Sequence, residues 1–196
     1  MQILLRYDIN DPMEPTVDFL HEVGMLAHTP RSGFAFLGTG KQSVAEHTHR
    51  MTFIAYALAR RHPDPINLHR LLMICLCHDL PEARTSDLNY VNKQYVKVDI
   101  NQAIEDIRQS NPLGPEVAEF IEEYEKGETL EAILAHDADQ LELMLVLKNL
   151  QELGNERTKD WMANVMKRIK TSVAIELAEQ IQKTPSTQWW MKKLSE

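Results

Sequence analysis

The chain has 196 residues, 43% of them apolar, and 29 acidic against 21 basic side chains, a formal charge of −8. That length and composition suit one globular domain with an ample core. The acidic balance argues against a long nucleic acid as partner, which needs a basic face; no run approaches the ~20 apolar residues that cross a bilayer, and the opening MQILLRYDIN carries no leader pattern.

Helical periodicity dominates in chain order. From Ser43 to Arg61, Val44, Met51, Ile54, Ala55 and Leu58 recur at steps of three and four. Leu68 to Leu80 is almost continuously apolar, and its length favours a buried helix over a strand. Val98, Ile104 and Ile107 mark an amphipathic segment, and Pro115 opens a short helix, where proline is tolerated. Thr129 to Leu153 is the longest pattern, broken by the polar run His136–Gln140, with Gly154 as its expected C-cap. Trp161, Val165, Ile169, Val173, Leu177 and Ile181 then form a stripe at every fourth residue, read as core or a helix–helix contact. Loops are expected at 30–42, 63–65, 85–94 and 111–115. No strand signal competes, so the fold class predicted is all-α: a single domain over 1–196, with C-terminal helices over 155–196 packing on a core of about 31–153. Cys75 and Cys77 would point to different helix faces, which predicts two buried free thiols and a reducing, cytoplasmic setting.

His78–Asp79, at the end of the apolar run, offers two metal ligands from one point of the backbone. His47 lies upstream near the start of a helix, and Asp139 downstream in AHDADQLELML. A carboxylate facing a core is costly without a counter-charge, and a cation removes that cost. Two imidazoles and two carboxylates suit one Mn²⁺, Co²⁺, Fe²⁺, Zn²⁺ or Mg²⁺ rather than Ca²⁺, and four protein ligands leave positions open on an octahedral ion. Asp137 competes with Asp139; being two apart on a helix, only one can face the site. Leu143 and Leu147 continue the Asp139 face inward, which favours Asp139, although Leu141 and Leu145 blur the pattern. Pro81 predicts a break after the histidine helix, which would swing Glu82 and Asp87 around the metal. One could take a proton from water and the other return one to a leaving oxygen. Arg31, in HTPRSGFAF, is the candidate phosphate clamp. His49 and His136 are read as neighbours rather than ligands, and Trp189–Trp190 as a segment that docks on the body or on a second subunit.

The ordered pattern His47, His78–Asp79, Asp139 resembles the HD-domain metal-dependent phosphohydrolases. Within them, PRSGF, SVAEHTHRM, HDLPEARTSDL and DADQLELML are most similar to the 5′-deoxynucleotidase branch. The resemblance selects Asp139 as the fourth ligand. It implies a helical bundle around one divalent cation and hydrolysis of 2′-deoxyribonucleoside 5′-monophosphates. It further implies catalytic roles for Glu82 and Asp87, a phosphate-side role for Arg31, and a homodimer. The rival expectations are an HD-type hydrolase of another nucleotide or a phosphodiester, a paired-iron oxygenase of related fold, and a metal-stabilised binding protein without activity.

Overall fold

A computed structural model of the protein describes residues 12–191. Among them no strand forms; the structure is all-α, with one isolated antiparallel bridge between Pro30 and Ser43 that closes the 30–43 loop. Helix α1 (Glu14–Met25) is followed by the one-turn α2 (Phe34–Leu37) inside that loop, then α3 (Val44–Arg61) and α4 (Leu68–Cys77). Short turns α5 (Glu82–Thr85) and α6 (Asn92–Tyr95) lead to α7 (Ile100–Ser110), α8 (Gly114–Lys126) and the long α9 (Leu130–Glu152). Helices α10 (Thr158–Met166), α11 (Ser172–Lys183) and the one-turn α12 (Gln188–Met191) complete the chain.

Local chemistry sets the ends. Ser43 accepts from the Glu46 amide while the Glu46 carboxylate accepts from Ser43, a capping box that starts α3. Thr129 caps α9 through the Ala132 amide, and Asn67 caps α4 through that of Arg70. Gly154, with φ +91°, lets the chain turn away just beyond α9. The apolar run closes as a helix at Cys77 rather than Leu80, because Pro81 has no N–H for the Cys77 carbonyl. That carbonyl instead accepts from the Leu80 amide at 3.0 Å, and Leu80 stays buried.

Helix α9 is the axis of the bundle, packed against α3, α4, α8, α10 and α11. Its side chains are buried on every side, from Leu134 and Leu141 to Met144 and Leu147. Each fully buried leucine contributes roughly 1.5–3 kcal/mol by leaving water. A helix packed on several sides has little solvent face along its middle, which is why Leu141 and Leu145 obscured the periodicity around Asp139.

The every-fourth-residue stripe from Trp161 to Ile181 lies in the core or packs against it, as expected, and is divided between α10 and α11 by a turn at 167–171. The turn exists because the buried Asp137 carboxylate accepts from the Lys170 amide, the Thr171 amide and the Thr171 hydroxyl at 2.6–2.8 Å, fixing the start of α11. Helix α1 was not anticipated, because it exposes apolar residues (Val17, Leu20, Val23) and lacks a side-chain cap. Cys75 and Cys77 are buried and free, and burial holds both thiols well above their ordinary range, that of Cys77 at about 12. Trp189 is 77% exposed, so it does not dock on the body of the chain.

Candidate active site

Three helices deliver side chains to one point. His47 comes from the first turns of α3, His78 from just past the end of α4, and Asp139 from the middle of α9. One ligand atom from each lies within 4.8 Å of the others. Asp79 closes the group: its Oδ2 is 3.1 Å from His78 Nε2 and 3.8 Å from His47 Nε2. Asp139 Oδ1 lies 3.2 Å from His47 Nε2, while its Oδ2 accepts from Gln140 Nε2 at 2.9 Å.

Both imidazoles are anchored from behind. His78 Nδ1 is 2.8 Å from the Cys75 carbonyl, and His47 Nδ1 is 2.7 Å from Glu142 Oε2. Both partners accept, so in the neutral rings, the form that binds a cation, each Nδ1 carries the proton and each Nε2 presents a lone pair. The two Nε2 atoms are buried, have no aligned hydrogen-bond partner, and face the same two carboxylates. Orphaned buried nitrogens of this kind are uncommon and require an explanation; a divalent cation fits the donor set and gives both a partner.

The charges point the same way. Asp79, Asp139, Glu82 and Asp87 share this corner with the guanidinium of Arg31, whose Nη1 is 3.4 Å from Asp79 and Nη2 3.9 Å from Asp139. Burial, then the neighbouring charges of Asp79 and Asp87, raise the Glu82 carboxyl to about 8. Burial opposes ionisation of Asp139 and of Asp79, but the imidazoles and Arg31 outweigh it and hold both below the usual carboxylate range. For His47, burial and Arg31 oppose protonation, yet Asp139 and Glu142 prevail and lift it to about 9. An excess of buried negative charge of this size is what a cation offsets.

Glu82 and Asp87 reach the site through the break at Pro81. Glu82 opens α5, and its Oε2 is buried without a partner. Ser86 then adopts φ 63°, ψ 158°, a conformation that residues with a Cβ rarely hold, and redirects the chain. As a result Asp87 turns back to accept from the Ser32 amide at 2.6 Å, beside Arg31. The site forms the floor of a cleft of about 1170 Å³ whose walls include Phe34, Tyr90, Trp161, Lys93 and Arg168. All seven candidate side chains therefore meet in one place. Asp137 faces away to cap α11, His49 is exposed against Phe53, and His136 Nε2 lies 2.8 Å from the Tyr124 carbonyl.

Glu142 was not anticipated. It is 0% exposed, three residues after Asp139, and besides His47 it accepts from Gln42 and Arg50. The signal was a lone acid within LELML, since a buried acid needs partners.

Comparison with known proteins gives a consistent picture. The model of a family described as HD domain matches residues 23–182. The 5′-deoxynucleotidase HDDC2 of Homo sapiens is 26% identical over 179 residues, covering 87% of this chain and 86% of that protein. The protein of the same name from Mus musculus is 30% identical over 144 residues, 70% of this chain and 71% of its own. A conserved hypothetical protein from Pyrococcus furiosus superposes with a TM-score of 0.73 at 25% identity, covering 86% of this chain and 99% of that one.

Proposed function

The chain belongs to the HD-domain family, and on that premise we propose that it is a 5′-deoxynucleotidase, hydrolysing 2′-deoxyribonucleoside 5′-monophosphates to deoxynucleoside and phosphate. The observation that carries the reading is the convergence of two partnerless buried Nε2 atoms on two carboxylates, with a third carboxyl, Glu82, raised to about 8 beside them. His47, His78, Asp79 and Asp139 would hold one divalent cation. Bound there, it supplies Lewis acidity to a phosphate oxygen and makes water a better nucleophile near neutral pH.

The remaining work falls to the chain. Arg31 donates to the phosphate oxygens, as a guanidinium beside carboxylates can when a dianion enters. Glu82 takes the proton of the attacking water; a carboxyl titrating near neutrality suits that transfer. The water oxygen bonds to phosphorus, the bond from phosphorus to the 5′-oxygen breaks, and Asp87 protonates the departing oxygen. The aromatic wall of Phe34, Tyr90 and Trp161 fits a nucleobase better than a bare sugar phosphate. A paired-metal reading finds no support in His49, which is exposed against Phe53, or in His136, whose Nε2 is engaged by the Tyr124 carbonyl at 2.8 Å. A cytoplasmic homodimer completes the reading.

The test is phosphate release from dAMP, dGMP, dCMP, dTMP and dUMP with Mn²⁺ or Co²⁺, beside the matching ribonucleotides and bis-p-nitrophenyl phosphate. Turnover of the deoxynucleotides is expected. If none is hydrolysed while a phosphodiester is, the substrate assignment fails.

A further inference from the structure

The two imidazoles at the centre are held differently. His78 Nδ1 is anchored by a neutral peptide carbonyl, whereas His47 Nδ1 is anchored by a carboxylate that is wholly buried. The two oxygens of Glu142 are divided between separate tasks. Oε1 accepts from Gln42 Nε2 at 2.7 Å and from Arg50 Nε at 2.9 Å, with Arg50 Nη2 also against it. Oε2 is engaged by His47 at 2.7 Å. Arg50 is 42% exposed, so its charge is shared with water, while Glu142 and His47 are sealed from it.

Stability alone is a poor reason for this arrangement. A buried ion pair costs much of what it returns, and an apolar residue of like volume commonly serves a core as well. What an apolar residue cannot do is select one ring nitrogen of His47 for protonation. We propose that Glu142 is a positioning residue of the metal centre. It holds His47 in the Nδ1–H tautomer, aims the Nε2 lone pair at Asp139 and Asp79, and lends that nitrogen the basicity of a carboxylate partner. Gln42 and Arg50 hold Oε1, which fixes the plane of the carboxylate and leaves Oε2 for the imidazole. His47 is thereby the stronger of the two nitrogen donors. The proposal rests on the reading of His47 as a ligand.

The experiment measures Mn²⁺ affinity of the full chain by chelator competition for the wild type, Glu142→Gln, Glu142→Ala and His47→Ala. It is paired with the melting temperature of each metal-free form and the ring ¹⁵N shifts of His47 in the Zn²⁺-loaded wild type. Glu142→Gln is expected to bind Mn²⁺ about 10–100-fold more weakly, to melt cooperatively without metal, and to regain most of its turnover at saturating Mn²⁺. His47 should show a protonated Nδ1. Wild-type affinity in Glu142→Gln, with His47→Ala losing the metal, overturns the proposal, as does a protonated Nε2. A lowered melting temperature with unchanged affinity reveals a merely structural role and overturns it as well. Should His47→Ala also bind like the wild type, the reading of His47 as a ligand fails and takes this one with it. If Glu142→Ala does not fold, the near-isosteric glutamine variant decides.

Discussion

Ser32 donates its amide to Asp87 Oδ2 at 2.6 Å, so the segment bearing Arg31 and the segment bearing Asp87 form one hydrogen-bonded unit. Asparagine at 87 keeps an acceptor for Ser32 but cannot supply a proton. Asp87→Asn should lower kcat on dAMP by ~10²–10⁴-fold with KM nearly unchanged. Asp87→Ala also frees the Ser32 amide, and its KM should rise as Arg31 loses its placement. Steady-state kinetics separate the two, and an asparagine variant with wild-type kcat would remove Asp87 from the chemistry.

Glu82 makes the metal-free protein sensitive to alkali. Its carboxyl titrates near 4.5 when unfolded and near 8 when folded. A raised value means that the folded chain keeps a proton the unfolded chain has lost. The contribution is therefore complete below pH 4.5 and disappears as pH climbs through 8. His47, raised from 6.5 to about 9, acts in the same sense over a higher window. Melting temperatures of chelator-treated protein should thus fall from pH 5 to 8.5, less steeply for Glu82→Gln, which removes the first contribution. Equal slopes would refute the assignment.

Asp137 and Asp139 should behave as opposites although they share one helix. Asp139→Asn should lose Mn²⁺ binding with the metal-free fold intact. Asp137→Asn turns an amide toward the donors of residues 170 and 171, which costs about 1–3 kcal/mol. The corresponding fall in melting temperature is about 2–4 °C per kcal/mol at this chain length, with one metal still bound. Calorimetry and metal analysis of the pair decide; loss of metal from Asp137→Asn would reverse the assignment.

Ser86 holds φ 63° and ψ 158° between the two candidate acids. Such a conformation costs a residue with a Cβ about 1–3 kcal/mol, and glycine returns ~0.5–1 kcal/mol of that as backbone entropy. Ser86→Gly should therefore raise the melting temperature by about 2–4 °C with turnover preserved. A lower melting temperature would show that the serine side chain earns its place through contacts.

The cluster of His47, His78, Asp79 and Asp139 could be read from the sequence because each member sits at a recognisable point of the helical pattern: His47 near the start of a helix, His78–Asp79 before a proline, Asp139 within the longest pattern. Glu82 and Asp87 were legible for the same reason, since Pro81 announced the break that turns them inward. Glu142 was hidden because its partners, Gln42, His47 and Arg50, lie far upstream and only the packing of α3 on α9 brings them near. The division between α10 and α11 was hidden likewise: the spacing of apolar residues passes unbroken through a turn that a distant aspartate imposes.

The clamp between Asp137 and residues 170–171 bears on how the molecule is made. As the chain leaves the ribosome, α9 emerges with a carboxylate bound for the core and no donors yet synthesised to receive it. Asp137 gains these partners only once more than thirty further residues have followed. A nascent chain halted before that point leaves the Asp137 carboxylate in the core without its donors, and a gene shortened at its 3′ end would yield a protein with that carboxylate unpaired.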